Sequence, residues 1–372
     1  MSTVSRTEGR IQRVVSSFAA LGSIDALLVS DLTNVRWLTG FTGSNGWVVL
    51  AEGRTVLVTD GRYGGQAEQQ LADAGAVADV LVGRTSADLQ RLLAETVAAH
   101  ERVGFEAAHT TVSQHGAWTS AFPCTLVPVV GMVEQARRSK DAAEVALIAR
   151  ACAIADAALA EVAPSIRPGA TEAQVRNRLE TLMRELGASG PSYDTIVAAG
   201  PVNSALPHHR PTDTALTDGD LVIIDVGALV GGYHSDMTRT FVVGEPSGRQ
   251  TEMYQLVLAA QLAGLATVAP GVRCRDVDAA CRRIIADAGY GDWFSHGTGH
   301  GVGLLIHEEP FQNTDTTAIL EVGDVVTVEP GVYRGGFGGV RVEDLVVVTE
   351  TGCRVLTASP KDSPCLPSPP TT

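Results

Sequence analysis

Positive charge is scarce in this chain. Its 372 residues carry 28 Lys and Arg against 42 Asp and Glu, a formal net charge of -14, and no basic run or stripe interrupts the acidic balance. Nucleic acid and anionic membrane surfaces are therefore not expected as partners. No stretch approaches the ~20 apolar residues of a membrane span. The first ~20 residues are polar and lack the apolar core of a secretory leader. Cysteine is sparse too. Cys124, Cys152, Cys274, Cys281, Cys353 and Cys365 show no Cys-x-x-Cys pairing and no regular framework. In a chain this long, that pattern predicts buried free thiols and a cytoplasmic residence. What remains is an ordinary globular composition, 45% hydrophobic and 19% charged. The length exceeds one typical core, so two domains are expected.

Against this background one pattern is written twice. Leu216 opens Leu-Thr-Asp-Gly-Asp-Leu-Val-Ile-Ile-Asp-Val-Gly-Ala-Leu-Val-Gly-Gly, and Leu320 opens Leu-Glu-Val-Gly-Asp-Val-Val-Thr-Val-Glu-Pro-Gly-Val-Tyr-Arg-Gly-Gly. Without a gap, Gly219, Asp220, Asp225, Gly227, Gly231 and Gly232 fall on Gly323, Asp324, Glu329, Gly331, Gly335 and Gly336. In each copy a carboxylate ends an apolar strand before a Gly-rich turn, and a second follows the turn, Asp236 in the first and Glu343 in the second. A hairpin about Gly231-Gly232 would bring Asp225 and Asp236 together, and a looser one over Gly335–Gly339 would do the same for Glu329 and Glu343. Residues near-opposite on paired strands have Cβ atoms about 5 Å apart. Four carboxylates aimed at one place cannot all stay ionised without cations, so the pattern predicts a metal site with two ions.

The first ~130 residues alternate between helix-like and strand-like segments, the signature of an α/β layer. Residues 23–30, 47–50 and 55–59 read as buried strands and 88–100 as an amphipathic helix. No catalytic constellation occurs there. A boundary is expected near Val133–Lys140. A helix then starts at Asp141, with Glu144 three residues on, and stops at Val162-Ala163-Pro164. Thr171 caps the next, with Leu179, Leu182, Met183 and Leu186 on its apolar face. Helices from about Arg249 to Val268 and from Arg275 to Ala288 precede the second carboxylate pattern. The order helix, helix, hairpin thus occurs twice, which predicts two α/β halves related by a pseudo-twofold. The Pro/Ser/Thr-rich end after Ser359 is expected to be disordered.

His296-Gly-Thr-Gly-His300-Gly-Val-Gly-Leu-Leu-Ile-His307 supplies a nitrogen ligand, since glycine lets the backbone run close to a site. Four carboxylates and an imidazole form a hard, oxygen-dominated set that suits Mn²⁺, Co²⁺ or Fe²⁺ and tolerates Zn²⁺. Singly, each element has a plainer reading: a strand-terminal Asp is commonly a turn cap, and a lone His a satisfied surface or core residue. The joint occurrence favours the metal site.

These residues resemble the metallopeptidase family with the "pita-bread" fold, which includes aminopeptidase P, prolidase and methionine aminopeptidase. The matching segments are Asp225-Val-Gly, Gly232-Tyr-His-Ser-Asp-Met-Thr-Arg-Thr, His296-Gly-Thr-Gly-His-Gly, Val328-Glu-Pro-Gly-Val-Tyr and Val340-Arg-Val-Glu-Asp. Leu38-Thr-Gly-Phe-Thr-Gly-Ser-Asn-Gly and Thr59-Asp-Gly-Arg-Tyr resemble the creatinase-type N-terminal domain and point to the proline-specific branch. The resemblance implies an α/β (α+β) chain: a creatinase-like domain over 1–133, a pita-bread catalytic domain over 138–358 and a disordered tail over 359–372. It implies two metal ions, manganese first, on Asp225, Asp236, His300, Glu329 and Glu343, with Asp236 and Glu343 bridging. His208, chosen over His209, joins His296, His307, Glu329 and Arg341 as catalytic residues, and Tyr333 and Arg36 as substrate contacts. Apart from the resemblance, Arg36, reaching in from the N-terminal domain of its own or a partner subunit, is a candidate partner for a dipeptide's carboxylate; the plainer reading is a surface arginine. The implied activity is hydrolysis of Xaa-Pro bonds at peptide N-termini by a cytoplasmic homodimer, a dipeptidase in preference to an aminopeptidase P. The other readings are a catalytically silent member of the fold and a metal amidohydrolase acting on a non-peptide amide.

Overall fold

The computed structural model describes residues 6–21 and 23–366. The chain forms two compact units that divide between Arg137 and Arg138. Among the described residues, no helix is long and apolar enough to cross a membrane.

The first unit is built on six strands: β1 (Ala26–Val29), β2 (Gly46–Ala51), β3 (Arg54–Asp60), β4 (Asp79–Gly83), β5 (Arg102–Glu106) and β6 (Thr125–Val129). Their spatial order is β4-β3-β2-β1-β5-β6. The joins of β2 with β1 and β3 are antiparallel and the other three parallel. β1, Ala-Leu-Leu-Val, is buried along its whole length, as a central strand covered on both faces must be. Leu28, Val49, Val58, Leu93, Phe105 and Trp118 share one core. The helix expected from Asp88 spans Ser86–Val97. Its cap is Thr85, whose side chain accepts from Asp88 N while the Asp88 carboxylate accepts from Thr85 N. Asp88 is thus the third residue of the first turn and not its start.

The second unit opens with helix Ala142–Val162. Asp141 Oδ1 accepts from Ala143 N and Glu144 N, and the Glu144 carboxylate accepts from Asp141 N. Such a cap contributes about 1 kcal/mol. Thr171 caps helix Glu172–Glu185. The strands that follow are β7 (Gly190–Pro191), β8 (Ile196–Ala199), β9 (Leu221–Asp225), β10 (Ala228–Val230), β11 (Tyr233–His234) and β12 (Thr238–Val242). In β9, Leu221, Val222, Ile223 and Ile224 are all at most 1% exposed. Each such side chain contributes about 1.5–3 kcal/mol by burial, which fixes the strand and leaves Asp225 at its end.

The single hairpin expected about Gly231-Gly232 is in fact two sheets. β9 pairs with β12, placing Asp225 opposite Thr238, whereas β10 and β11 pair with each other beside β7. The chain changes sheet at Gly227. A Cβ there would lie 1.9 Å from the Ser235 carbonyl oxygen, so only glycine allows the crossing.

Ser247 caps helix Gly248–Thr267, and helix Cys274–Asp287 follows. Next come β13 (Gly299–Gly301), β14 (Glu308–Gln312), β15 (Val325–Val328), β16 (Gly331–Arg334), β17 (Gly338–Arg341), β18 (Asp344–Val348) and β19 (Cys353–Val355). β16 and β17 form a hairpin, while the rest make a sheet in the order β14-β13-β15-β18-β19. The two strand regions are bonded to each other. Glu343 N donates to the Thr238 carbonyl at 3.2 Å, and Thr240 Oγ1 donates to the Arg341 carbonyl at 2.8 Å.

The expected tail begins inside this packing. The Ser359 carbonyl accepts from Arg239 Nη2 at 2.7 Å, and Lys361 Nζ bonds the Asp344 carboxylate. Arg239 and Asp344 are a buried ion pair, and these two bonds tie the end of the chain to it. Val242 bridges to Cys365, and Leu366 packs on the core. Residues 359–366 are therefore held by the fold, a correction of the disorder read from composition. Residues 367–372 lie outside the described residues.

Candidate active site

A cleft of about 570 Å³ opens within the second unit. Asp225, Asp236, His300, Glu329 and Glu343 line it together with His208, His296, His307 and Arg341. Strand ends place the acids. Asp225 closes β9, Glu329 follows β15, Glu343 precedes β18, and Asp236 stands in the bend between β11 and β12. Oxygens of Asp225, Asp236 and Glu343 lie within 4.8 Å of one another. His300 sits mid-strand in β13, its Nε2 3.5 Å from Asp236 Oδ2 and 3.4 Å from Glu329 Oε1. Thr327 couples two of these groups: its hydroxyl accepts from His300 N at 3.0 Å and donates to Glu329 Oε1 at 3.2 Å. Gly299 permits this approach, because a Cβ there would be 2.2 Å from the Thr327 carbonyl oxygen.

The donor chemistry fits divalent cations. His300 Nδ1 lies 3.0 Å from the Gly301 carbonyl, which can only accept, so Nδ1 carries the proton. Burial lowers the His300 pKa to about 4 and keeps the ring neutral. Its Nε2 then directs a lone pair toward two carboxyl groups, a donor arrangement that suits a divalent cation. Glu343 Oε2 accepts from Thr238 Oγ1 at 2.7 Å, but Glu343 Oε1 is buried with no hydrogen-bond partner among the described residues. Burial, and then repulsion by neighbouring carboxylates, pushes Asp236 and Glu343 well above the usual carboxylate range. Burial likewise lifts Glu329 to about 8, although Arg341 opposes it. Without cations these acids hold protons; with cations they become a ready ligand set.

The surroundings brace the acids. Arg341 Nη2 donates to Asp225 Oδ2 at 2.6 Å, its Nη1 to the Tyr333 hydroxyl at 2.8 Å and its Nε to Thr238 Oγ1 at 2.9 Å. Tyr333, expected to touch substrate, does not line the cleft; it stands behind Arg341 and His296. Both ring nitrogens of His296 are engaged, Nδ1 by the Gly297 carbonyl and Nε2 by the Tyr333 hydroxyl at 3.0 Å. Its pKa falls to about 4 through burial and the nearby Arg341. His296, expected as a catalytic residue, therefore lines the cleft with both ring nitrogens already bonded within the protein. His307 stacks edge-on against His300 with ring centroids 4.4 Å apart, and burial followed by the neighbouring His208 lowers its pKa. Arg36 belongs to the first unit, on helix Leu32–Thr39.

Two contributors were not read from the sequence. Tyr193 is half-buried beside the acids, its hydroxyl bonding Asp225 Oδ1 and reaching Asp236 Oδ1 at 2.5 Å. It lies 32 and 43 residues from them, so no spacing betrays it. Glu172 anchors the segment that carries His208. It is fully buried and accepts from Ala199 N, Asn203, His209 Nε2 at 2.9 Å and both Thr212 donors. Burial alone would raise the Glu172 carboxyl, but these bonds, led by His209, carry it below its ordinary value. His209 is thus turned into the core, while the exposed His208 lines the cleft.

Both units resemble known proteins. Residues 146–350 match the model of metallopeptidase family M24, and residues 10–139 match the creatinase/prolidase N-terminal domain. The chain belongs to metallopeptidase family M24. Its first unit is a creatinase-type N-terminal domain and its second the M24 metallopeptidase domain. The M24 chain superimposes on the Xaa-Pro dipeptidase from Bacillus anthracis with a TM-score of 0.93 and 38% identity, over 97% of this chain and 100% of that one. It is 34% identical to the Xaa-Pro dipeptidase of Pyrococcus furiosus across 95% of this chain and 99% of that protein. An X-Pro aminopeptidase from Thermotoga maritima superimposes with a TM-score of 0.87 and 34% identity, over 95% of this chain and 99% of that one.

Proposed function

We propose that this M24 peptidase hydrolyses the Xaa-Pro bond of dipeptides, using two divalent cations held by Asp225, Asp236, His300, Glu329 and Glu343. The observation that carries the proposal is the near-complete overlay on an Xaa-Pro dipeptidase by a chain whose cleft gathers all five groups. When bound, the cations supply a Lewis acid for the scissile carbonyl and a water acidic enough to ionise near neutral pH. The oxygen-rich donor set favours Mn²⁺. Glu329 takes the proton of the attacking water and returns it to the imide nitrogen of the leaving proline. His208 and His307, on the cleft wall, donate hydrogen bonds to the carbonyl oxygen as negative charge develops. Arg341 and Tyr193 hold Asp225 in place, and Tyr333 ties Arg341 to His296. Ile196, Pro207, Ile306 and Phe311 give the cleft apolar surface for the proline ring and the first side chain. All six cysteines are free thiols, which suits a reducing cytoplasm. A homodimer is the proposed assembly, following the family resemblance.

The test is hydrolysis of Gly-Pro and Ala-Pro beside Ala-Pro-Ala, with Mn²⁺ and again after EDTA. EDTA-sensitive cleavage confined to the dipeptides is expected. Equal cleavage of the tripeptide would make the enzyme an aminopeptidase, and metal-loaded protein that cleaves neither would end the proposal.

A further inference from the structure

We infer that Arg210 is the receptor for the free carboxylate of the dipeptide, and so the residue that makes this cleft select dipeptides. The inference rests on the dipeptidase reading above. A dipeptide places its carboxylate on the proline itself, one residue beyond the scissile carbonyl. A cation must meet it there if dipeptides are to be preferred over longer chains, which carry a neutral amide at the same point.

Among the described residues, those lining the cleft include two guanidinium groups, Arg341 and Arg210, and no lysine. Arg341 is committed. Its side chain is 4% exposed, and all three of its nitrogens donate, to Thr238, Tyr333, the Pro207 carbonyl and Asp225. Arg210 is the opposite case. Its side chain is 70% exposed, and its Nη1 donates to Asp194 Oδ2 at 2.6 Å. Asp194 also lines the cleft and is itself 79% exposed. An ion pair so open to water contributes little. A substrate carboxylate therefore displaces Asp194 at small cost and gains a planar, bidentate partner.

The root of Arg210 is fixed, unlike its head. His209 Nε2 on one side and Thr212 N on the other are both bonded to the buried Glu172, at 2.9 and 3.0 Å. With His209 turned into the core, His208 and Arg210 both face the cleft from the same short segment. One strip of backbone thus presents a hydrogen-bond donor for the carbonyl and, two residues on, a charge for the carboxylate.

The experiment compares Ala-Pro with Ala-Pro amide as substrates of Mn²⁺-loaded wild type, Arg210→Ala and Arg210→Lys. For Arg210→Ala the KM of Ala-Pro should rise about 10- to 100-fold with kcat within about threefold, and the amide should be unaffected. Arg210→Lys should keep part of the discrimination, since it retains the charge without the fork. An unchanged KM for Ala-Pro, or equal losses on dipeptide and amide, overturns the inference. A selective loss of the dipeptide in Arg36→Ala, with none in Arg210→Ala, overturns it in favour of the N-terminal unit. If wild type cleaves the amide but not Ala-Pro, the dipeptidase reading has failed first.

Discussion

Metal-free protein should lose stability as the pH rises from 6.5 to 8, and metal-loaded protein should not. The direction follows from the acids in the cleft. Burial lifts the Glu329 carboxyl from its ordinary 4.5 to about 8, so the folded chain keeps a proton that the unfolded chain has released. Stability from such a group is fully present below the unfolded value and is lost as pH rises through the folded one. The buried histidines act in the other direction, but over a different range. His296 and His300 fall from 6.5 to about 4 in the fold, so their contribution is complete once the pH exceeds 6.5. The window between 6.5 and about 8 therefore isolates the carboxyls. Each retained proton contributes a slope of about 1.4 kcal/mol per pH unit, so Glu329 alone accounts for about 2 kcal/mol across the 8 − 6.5 = 1.5 units. Asp236 and Glu343, raised by burial and mutual repulsion, add in the same sense. For a unit of this size, about 2 kcal/mol is about 4–8 °C in Tm. Thermal melts of EDTA-treated protein at half-unit steps of pH give the curve, and melts with Mn²⁺ give the control. A metal-free Tm that is level or rising across the window would refute the reasoning, because the acids would then not be held together against their charge.

Asp344→Ala leaves the Arg239 guanidinium and the Lys361 ammonium without the carboxylate both now share, and should cost about 3–5 kcal/mol in denaturant unfolding; a loss below about 1 kcal/mol would show that Ser359 and Thr238 suffice for Arg239. Glu172→Gln weakens the anchor of the His208–Arg210 segment, and kcat/KM for Ala-Pro should fall at least about tenfold with metal content intact. Kinetics equal to wild type would mean that the segment holds itself without the charge on Glu172.

The strand-end acids were legible because Asp225 and Glu329 close apolar strands where a buried charge is costly, and because the same offset recurs with histidines beside glycine. The helix start at Asp141 was legible because capping is local chemistry, acid against free N–H groups, and Thr85 was missed only because Asp88, its partner in the same capping box, offers the same signal. What escaped depends on distance along the chain. Nothing near Tyr193 marks it as different from a core tyrosine, since its acids arrive from β9 and from the bend before β12. Which of His208 and His209 faces the cleft is decided by Glu172, far upstream, and Glu172 itself reads locally as an ordinary first-turn acid. Pro/Ser-rich composition hid residues 359–366 because their partners, Arg239 and Asp344, are a buried pair that no property of the tail announces. The crossing at Gly227 was hidden by its own simplicity, as a Gly-rich turn reads as one hairpin until the second sheet is known.

The central proposal is that these acids hold two cations and that Asp236 is one of the ligands. Metal content of wild type and Asp236→Asn, measured by mass spectrometry after reconstitution with Mn²⁺ and alongside Ala-Pro hydrolysis, tests it most directly. Wild type should carry about two ions per chain and hydrolyse the dipeptide, whereas Asp236→Asn should keep its circular dichroism spectrum, carry at most one ion and be inactive. A fully metallated, active Asp236→Asn would contradict the assignment of the site.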